Sequence, residues 1–162
     1  MTLAHKLTEH GFFVATAESL TAGLVSAELA NTAGASKFLL GGIVSYQDAI
    51  KIQQLGVDAT ALEQRSAIDA EIAVQMAVGV RSKFASDCAK DLKNVIGVST
   101  TGVAGPNPVG NHPVGLVYLG IASAVSTRSI ALQLNGSRAE VRAATVAAAL
   151  LAIEDEIHLL LG

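Results

Sequence analysis

Short apolar runs alternate with helical patterns along this sequence, and that order constrains the fold more than any other feature. Strands are predicted at residues 12–17, 38–45, 95–99, 114–122 and about 128–134. Helices are predicted at residues 2–10, 19–30 and 48–55, after Asp69, and at about 139–160. Strands alternate with helices through the first three strands, which predicts a three-layer α/β/α sandwich with a mostly parallel sheet. The short connection between the last two strands predicts an antiparallel pair at or near one edge.

The composition is that of a folded protein with one domain over residues 1–162. Hydrophobic residues make up 51% of the chain and charged residues 15%, which excludes a disordered chain. The net charge is −3 and no basic tract is present, so no nucleic-acid partner is expected. The low charge also suggests that some surface is hidden in a homodimer or a larger homo-oligomer. The last predicted helix supports this expectation, since it offers small apolar residues nearly all round: Ala143, Ala144, Ala147, Ala148 and Ala149.

Several features indicate a cytoplasmic protein without a membrane partner. The first residues lack the apolar run of a signal peptide, and the most apolar stretch, residues 147–153, is too short to cross a bilayer. Cys88 is the only cysteine and cannot form an internal disulfide, which suits a reducing compartment. Its position in a helical pattern beside Phe84 and Ala85 favours a buried, unreactive thiol.

Ser19 lies where the first predicted strand becomes a helix. Ligands of such sheets bind at the carboxyl ends of the strands, and the N–H groups of a helix start can stabilise an anion. This placement suits a serine nucleophile with an oxyanion hole. Taken alone, the segment is also explained by Ser19 capping the helix, with Glu18 and Thr21 as neighbours.

A second candidate group surrounds Lys51. Tyr46 ends the second predicted strand, Asp48 is predicted to cap the next helix, and Lys51 follows in the first turn. The positive end of the helix dipole opposes a cation there and lowers the pKa of a lysine, as a neutral general base requires. The alternative is an exposed lysine whose ammonium lies in solvent.

Two further segments could bind an anionic ligand. The glycine-bearing loop at residues 99–106 follows a buried strand and can present N–H groups to a phosphate or carbonyl, or be a tight connection between strands. Arg138 and Arg142 are four residues apart on one helix face and could clamp a phosphate, or form a surface pair with Glu140. No two histidines have metal-ligand spacing, so no metal is predicted, and no cofactor is expected either. Only His112 lies near the presumed site, in the continuation of the glycine loop over residues 107–113.

Together these segments resemble the C-terminal domain of the competence/damage-inducible CinA family and its stand-alone relatives, the nicotinamide-nucleotide amidases (PncC-like). The resemblance covers about residues 3–157. It depends on four ordered blocks: AESLTAG at 17–23, GGIVSYQDAIK at 41–51, TTGVAGP at 100–106 with HPVGLVYLGIA at 112–122, and GSRAEVR at 136–142. Each block alone is weak, but the ordered set is specific.

The resemblance implies a five-stranded mixed sheet and an amidohydrolase of pyridine nucleotide salvage. The implied reaction converts nicotinamide mononucleotide to nicotinic acid mononucleotide and ammonia without a metal. The implied catalytic residues are Ser19, Tyr46 and Lys51. The predicted substrate-binding residues are Thr21, Gly102, Gly105 and Arg138, with their neighbours Gly23, Thr101 and Arg142.

Two positions depart from the family pattern, and two other functions remain open. Pro108 and Val109 interrupt a run that is commonly glycine-rich in the family, and this change could reshape the rim of the pocket and alter which substrate it accepts. Ser137 stands where the family often has an aspartate before the arginine matched by Arg138. A reductase with a Ser–Tyr–Lys set is opposed because no GxGxxG follows the first strand. The spacing also opposes it: five helical steps turn about 500°, so Tyr46 and Lys51 converge only if Tyr46 lies outside the helix. A non-catalytic nucleotide-binding or regulatory module would use the same pocket.

Overall fold

The computed structural model describes residues 1–162, and it contains six α-helices and five strands. Their order along the chain is α1 Leu3–Glu9, β1 Phe13–Glu18, α2 Leu24–Ala30, β2 Leu39–Val44, α3 Asp48–Leu55, α4 Ala59–Arg65, α5 Ala70–Asp87, β3 Val95–Gly102, β4 Leu116–Ala122, β5 Thr127–Gln133 and α6 Arg138–Leu161. Short 3₁₀ turns at Ala35–Lys37 and Leu92–Asn94 precede β2 and β3.

The five strands form one mixed sheet in the order β2-β1-β3-β4-β5. β1 pairs in parallel with β2 and β3, whereas β4 is antiparallel to both β3 and β5. Only β4 therefore opposes the common strand direction. The predicted mostly parallel mixed sheet and the antiparallel pair at its edge are confirmed.

Helices cover both faces of the sheet, which confirms the three-layer sandwich. α1, α2 and α6 pack on one face, and α3, α4 and α5 pack on the other. Successive side chains of β1 alternate between the two cores, with Val14 in the first and Ala15 and Ala17 in the second. Because both faces are covered, five consecutive residues of β1 are buried, including the polar residues Thr16 and Glu18.

Side-chain caps fix the starts of the long helices. Asp69 accepts the N–H of Glu71 at the start of α5, and the buried residues Ile72, Met76 and Val80 of this helix pack against the sheet. Ser137 and Glu140 form a reciprocal capping box at the start of α6. Ser137, which stands where the family often has an aspartate, therefore caps the start of the helix that carries Arg138.

Two expectations about local structure are wrong, and one helix is missing from the sequence prediction. The second helix begins at Leu24 and not at residue 19, because a tight turn over residues 19–23 comes first. α4 was not predicted, since Leu62 is its only buried residue and no apolar stripe marks it. Cys88 is exposed, because α5 ends before it and Cys88 forms its C-cap.

The last helix, α6, carries both buried and exposed apolar residues. Ala149, Ala152 and Ile153 lie in the core, whereas Leu151 and Leu159 expose more than half of their surface. No helix of the structure, α6 included, is both long and apolar enough to cross a bilayer. The homo-oligomer stays a prediction.

Candidate active site

A cleft of about 290 Å³ opens at the carboxyl ends of β1, β2 and β3, beside the start of α6. The three predicted catalytic residues, Ser19, Tyr46 and Lys51, all line it. It is also lined by four of the predicted substrate-binding residues: Thr101, Gly102, Gly105 and Arg138. A slightly larger groove of about 340 Å³ lies between α2 and α6, but five of its six lining residues are apolar. The polar cleft is therefore the candidate active site.

A tight turn holds Ser19 at the edge of the sheet. Its N–H donates to the carbonyl of Thr100 (3.0 Å), and its own carbonyl accepts the N–H of Ala22 (3.1 Å). Gly23 closes the turn at a φ of 98°, in the left-handed region that glycine adopts without strain. The serine thus leaves the end of β1 with its backbone fixed by the neighbouring strand.

The buried side chain of Glu18 caps the N–H groups at the start of α2. Its buried carboxylate accepts the N–H groups of Gly23 (2.9 Å), Val25 (3.0 Å) and Ser26 (2.9 Å). Capping by Ser19 is therefore wrong, since Glu18 performs this role. The N–H groups of Gly23, Val25 and Ser26 at the start of α2 are therefore already paired and are not donors for an oxyanion.

Other backbone donors in the cleft are free. The N–H groups of Leu20, Ala104 and Gly105 donate no hydrogen bond within the protein, and all three residues line the cleft. Gly102 lets the end of β3 pack closely against Leu116, because a Cβ at position 102 would lie 2.5 Å from the carbonyl oxygen of Leu116. These donors are available to an oxyanion that forms beside Ser19.

Lys51 is buried at the base of the cleft, with only 1% of its surface exposed. Its ammonium donates to the carbonyl of Tyr46 (3.2 Å) and lies 3.5 Å from a carboxylate oxygen of Asp48. An exposed lysine is therefore excluded. Tyr46 lies before α3 begins, so it and Lys51 can both reach the cleft. Asp48 is the first residue of α3 and not its N-cap, which is Gln47.

Burial lowers the pKa of the Lys51 ammonium below its ordinary value, and the carboxylate of Asp48 opposes this shift. The direction agrees with the prediction, although desolvation is the main cause. A lysine with a lowered pKa is more readily neutral and able to accept a proton. Lys51 is therefore suited to act as a general base.

Arg138 joins two sides of the cleft. One of its terminal nitrogens donates to the carbonyl of Gly105 (2.6 Å), and the other donates to the phenolic oxygen of Tyr46 (3.0 Å). A guanidinium has five N–H donors, so others remain for an anionic ligand. Its side chain is largely exposed, which keeps those donors accessible.

Thr21, Gly23 and Arg142 do not line the cleft: Thr21 and Gly23 belong to the turn that carries Ser19, and Arg142 contacts this turn from α6. Arg142 donates to the carbonyls of Leu20 (2.9 Å) and Thr21 (3.2 Å). The hydroxyl of Thr21 is bonded to that of Thr100 (2.7 Å). Arg138 and Arg142 thus form neither a shared clamp nor a surface pair with Glu140, and the contacts of Arg142 support the turn.

Other lining residues were not predicted. Ala67 and Ile68 come from the connection between α4 and α5, and the hydroxyl of Thr101 donates to the carbonyl of Ala67 (2.5 Å). Their apolar side chains carry no chemical signal in the sequence. Val109, one of the residues that differ from the family pattern, lies at the rim of the cleft and exposes 53% of its surface. His112 instead bonds Ser66 (3.0 Å) outside the lining.

The fold and the cleft together define an α/β/α domain with its candidate active site at the carboxyl edge of the sheet. The CinA C-terminal domain model matches residues 1–157, and the chain belongs to this family. The chain is similar to a CinA-like protein of Kosmotoga olearia, with 39% identity over 137 residues, which cover 84% of this chain and 31% of that protein. It spans about a third of the length of the curated relatives it matches.

Solved structures agree with this assignment. A competence-damaged protein (CinA) superfamily protein of Klebsiella pneumoniae superposes with a TM-score of 0.86 at 25% identity, covering 96% of this chain and 93% of that one. A competence/damage inducible protein of Agrobacterium tumefaciens gives a TM-score of 0.82 at 31% identity, covering 94% and 93%. The architecture found here is thus that of the CinA superfamily.

Proposed function

We propose that this domain is an amidohydrolase that converts nicotinamide mononucleotide to nicotinic acid mononucleotide and ammonia, a reaction of pyridine nucleotide salvage. The observation that carries the proposal is the buried Lys51, whose lowered pKa suits a general base, in one cleft with Ser19 and Tyr46. The family resemblance supplies the substrate. An acyl transfer also needs hydrogen-bond donors for the oxyanion beside the nucleophile, and the free backbone N–H groups of Leu20, Ala104 and Gly105 supply them.

Acylation begins when the proton of Ser19 Oγ passes to the neutral amine of Lys51. The oxygen of Ser19 forms a bond to the carboxamide carbon, and the carbonyl oxygen becomes an anion held by free backbone N–H groups. The carbon–nitrogen bond then breaks, and its electron pair stays on nitrogen. A proton from the Lys51 ammonium or from Tyr46 completes the departing ammonia.

Deacylation repeats the same steps with water. Lys51 accepts a proton from the water, whose oxygen attacks the ester carbon of the acyl-enzyme. The bond from this carbon to Ser19 Oγ breaks, and the oxygen regains a proton from Lys51. The products are the nucleotide acid and the free enzyme.

The nucleotide part of the substrate fits the other side of the cleft. Arg138 has unused donors for a phosphate, and the glycine loop brings backbone groups to the same region. Val109 lines the rim of the cleft beside this region, so its side chain helps to determine which nucleotide fits.

The test is ammonia release from nicotinamide mononucleotide, measured together with equilibrium binding of the same compound. Wild-type protein should release ammonia, and Ser19→Ala should bind the nucleotide without turnover. Ser82→Ala removes an exposed hydroxyl on α5 and should behave as wild type. Binding without ammonia release by the wild type would contradict the proposal and favour a nucleotide-binding module.

A further inference from the structure

Ser45 carries the one buried side-chain polar atom in the structure that has no hydrogen-bond partner. The residue is 0% exposed, so its hydroxyl does not reach the surface. Other buried hydroxyls near this edge are paired: Ser99 donates to the carbonyl of Ala73 and Thr101 to that of Ala67. An unpaired buried hydroxyl is destabilising and uncommon, so Ser45 requires an explanation.

The register of the sheet places Ser45 beside Ser19. β1 and β2 pair in parallel with Ala17 opposite Ile43 and Glu18 opposite Val44. The N–H of Ser45 then donates to the carbonyl of Glu18 (2.8 Å), which continues the ladder by one residue. Extended by one position beyond the last pair, this register places Ser19 opposite Ser45, where neighbouring strands are roughly 4.8 Å apart.

The two serines also face the same side of the sheet. Side chains alternate along a strand, and Ala17 and Ile43 both pack in the core beneath α3 and α5. Ser19 and Ser45 each lie two residues further along, one residue beyond the ends of β1 and β2, and the same alternation extended to them places both on that side. α3 lies on this side and carries Lys51, whose ammonium is bonded to the carbonyl of Tyr46, the residue after Ser45.

Ser19 Oγ and Lys51 Nζ form no direct hydrogen bond in the structure, although both line the cleft. The geometry points to Ser45 as the hydroxyl that relays a proton between them, an inference that depends on the proposed amidohydrolase chemistry. A hydroxyl can accept one proton while donating another, which suits this position. Ser45 Oγ is bonded to neither group in this structure, and because it has no other partner in the protein, its hydroxyl is free to turn towards both when the proton moves.

The proton transfer balances at each atom. In acylation the O–H bond of Ser19 breaks and its proton moves to Ser45 Oγ, while the original proton of Ser45 moves to the lone pair of Lys51 Nζ. Ser45 stays neutral, Lys51 becomes an ammonium, and Ser19 Oγ uses the released electron pair to bond to the carbonyl carbon. The reverse transfer through Ser45 returns the proton to the nitrogen of the leaving group.

The test measures the reactivity of Ser19 without relying on the substrate. Phenylmethanesulfonyl fluoride sulfonylates an activated serine with loss of fluoride, and the labelling rate is followed by intact mass and peptide mapping. Ser45→Ala should slow labelling of Ser19 about 10²-fold or more, as Lys51→Met should. Thermal stability should be unchanged or higher, because an unpaired buried hydroxyl has been removed.

Ser99→Ala is the matched control, since it removes a buried hydroxyl that is hydrogen-bonded and lies outside the cleft. It should lower thermal stability and leave the labelling rate of Ser19 near that of the wild type. If Ser45 had only a structural role, Ser45→Ala would likewise lower thermal stability and leave the labelling rate of Ser19 near that of the wild type.

The outcomes separate the relay from the proposed function. Equal labelling of Ser19 in wild type and Ser45→Ala would overturn the relay, whatever the substrate. Slower labelling in Ser45→Ala, with no ammonia released by wild type from nicotinamide mononucleotide, would support the relay and refute the proposed substrate. No labelling of Ser19 in the wild type would overturn both the relay and the serine mechanism.

Discussion

The guanidinium of Arg138 donates a 3.0 Å hydrogen bond to the phenolic oxygen of Tyr46, and this contact joins the start of α6 to the segment after β2. Because the phenolic oxygen accepts this bond, the proton of Tyr46 remains free to be donated elsewhere. A ligand held by Arg138 would therefore also affect the position of the phenol. The contact links the predicted phosphate-binding group to a predicted catalytic one.

Arg138→Ala should weaken the use of a phosphorylated substrate more than that of its riboside. Loss of one hydrogen bond to a charged group costs about 1.5–3 kcal/mol, which is roughly 10- to 150-fold in kcat/KM for nicotinamide mononucleotide. The rates for the mononucleotide and for nicotinamide riboside should approach each other in the variant. Lys83→Ala, which removes an α5 cation paired with Asp87, is the control. Equal rates for both substrates in the wild type would refute the phosphate-binding role.

Glu18→Gln should destabilise the protein and slow the reaction. The carboxylate accepts three backbone N–H groups, whereas the amide of glutamine would turn a donor towards some of them. The expected loss is about 1–3 kcal/mol in the free energy of unfolding, measured by urea denaturation. The value of kcat should fall as well, because the same bonds hold the turn that carries Ser19.

Glu63→Gln provides the comparison for Glu18→Gln, because Glu63 is exposed on α4 and forms no side-chain hydrogen bond or ion pair. It should change the free energy of unfolding by less than about 0.5 kcal/mol. Similar small effects of both substitutions would show that the buried cap does not stabilise the turn.

The sequence predicts the sheet and the carboxyl-edge location of the site for a physical reason. Val14 and Val98 belong to strands covered on both faces, and each of these strands begins with a short apolar segment. Parallel strands bring their carboxyl ends to one edge, so the predicted strands place Ser19 and Tyr46 at the same edge of the sheet. The predicted convergence of Tyr46 and Lys51 required Tyr46 outside the helix, and α3 indeed begins at Asp48.

The remaining errors come from side-chain contacts that local patterns do not reveal. The segment around Ser19 contains good helix formers, but Glu18 pairs with the backbone of residues 23–26 and favours a turn. Arg142 has the spacing of a clamp partner, yet its bonds to the carbonyls of Leu20 and Thr21 depend on how α6 crosses the sheet. Such pairings follow from tertiary packing, which residue spacing alone does not determine.

Asp48→Asn should shift the pH dependence of activity to lower pH. The carboxylate of Asp48 favours the ammonium form of Lys51 and so raises the pKa of that group against the effect of burial. With this carboxylate neutralised, Lys51 should lose its proton at lower pH, and the rising limb of kcat/KM against pH should move in the same direction. A limb that stays in place or moves to higher pH would show that Lys51 is not the titrating base. Asp87→Asn, a change at the far end of α5, is the control.

Lys51→Met and Lys51→Arg together separate a base from a fixed positive charge. If Lys51 is the general base, both substitutions should lower kcat for ammonia release about 10²–10⁴-fold. Arginine keeps the charge but does not lose its proton near neutral pH, so a purely electrostatic role would survive in Lys51→Arg. Substantial activity in Lys51→Arg would therefore refute the serine–lysine mechanism and leave Tyr46 as the next candidate base.

The stability of Lys51→Met should depend on pH in a defined direction. The folded-state pKa of Lys51 lies below its unfolded value, so the folded protein binds fewer protons between these two pKa values. The cost of burying the ammonium is therefore fully present below the folded pKa and is relieved as pH rises towards the unfolded value, about 10.4. Relative to wild type, Lys51→Met should be most favoured at low pH and lose this advantage as pH rises. Thermal unfolding of both proteins from pH 6 to 10 measures this difference, and a difference that does not change with pH would show that Lys51 has the same pKa in the folded and unfolded states.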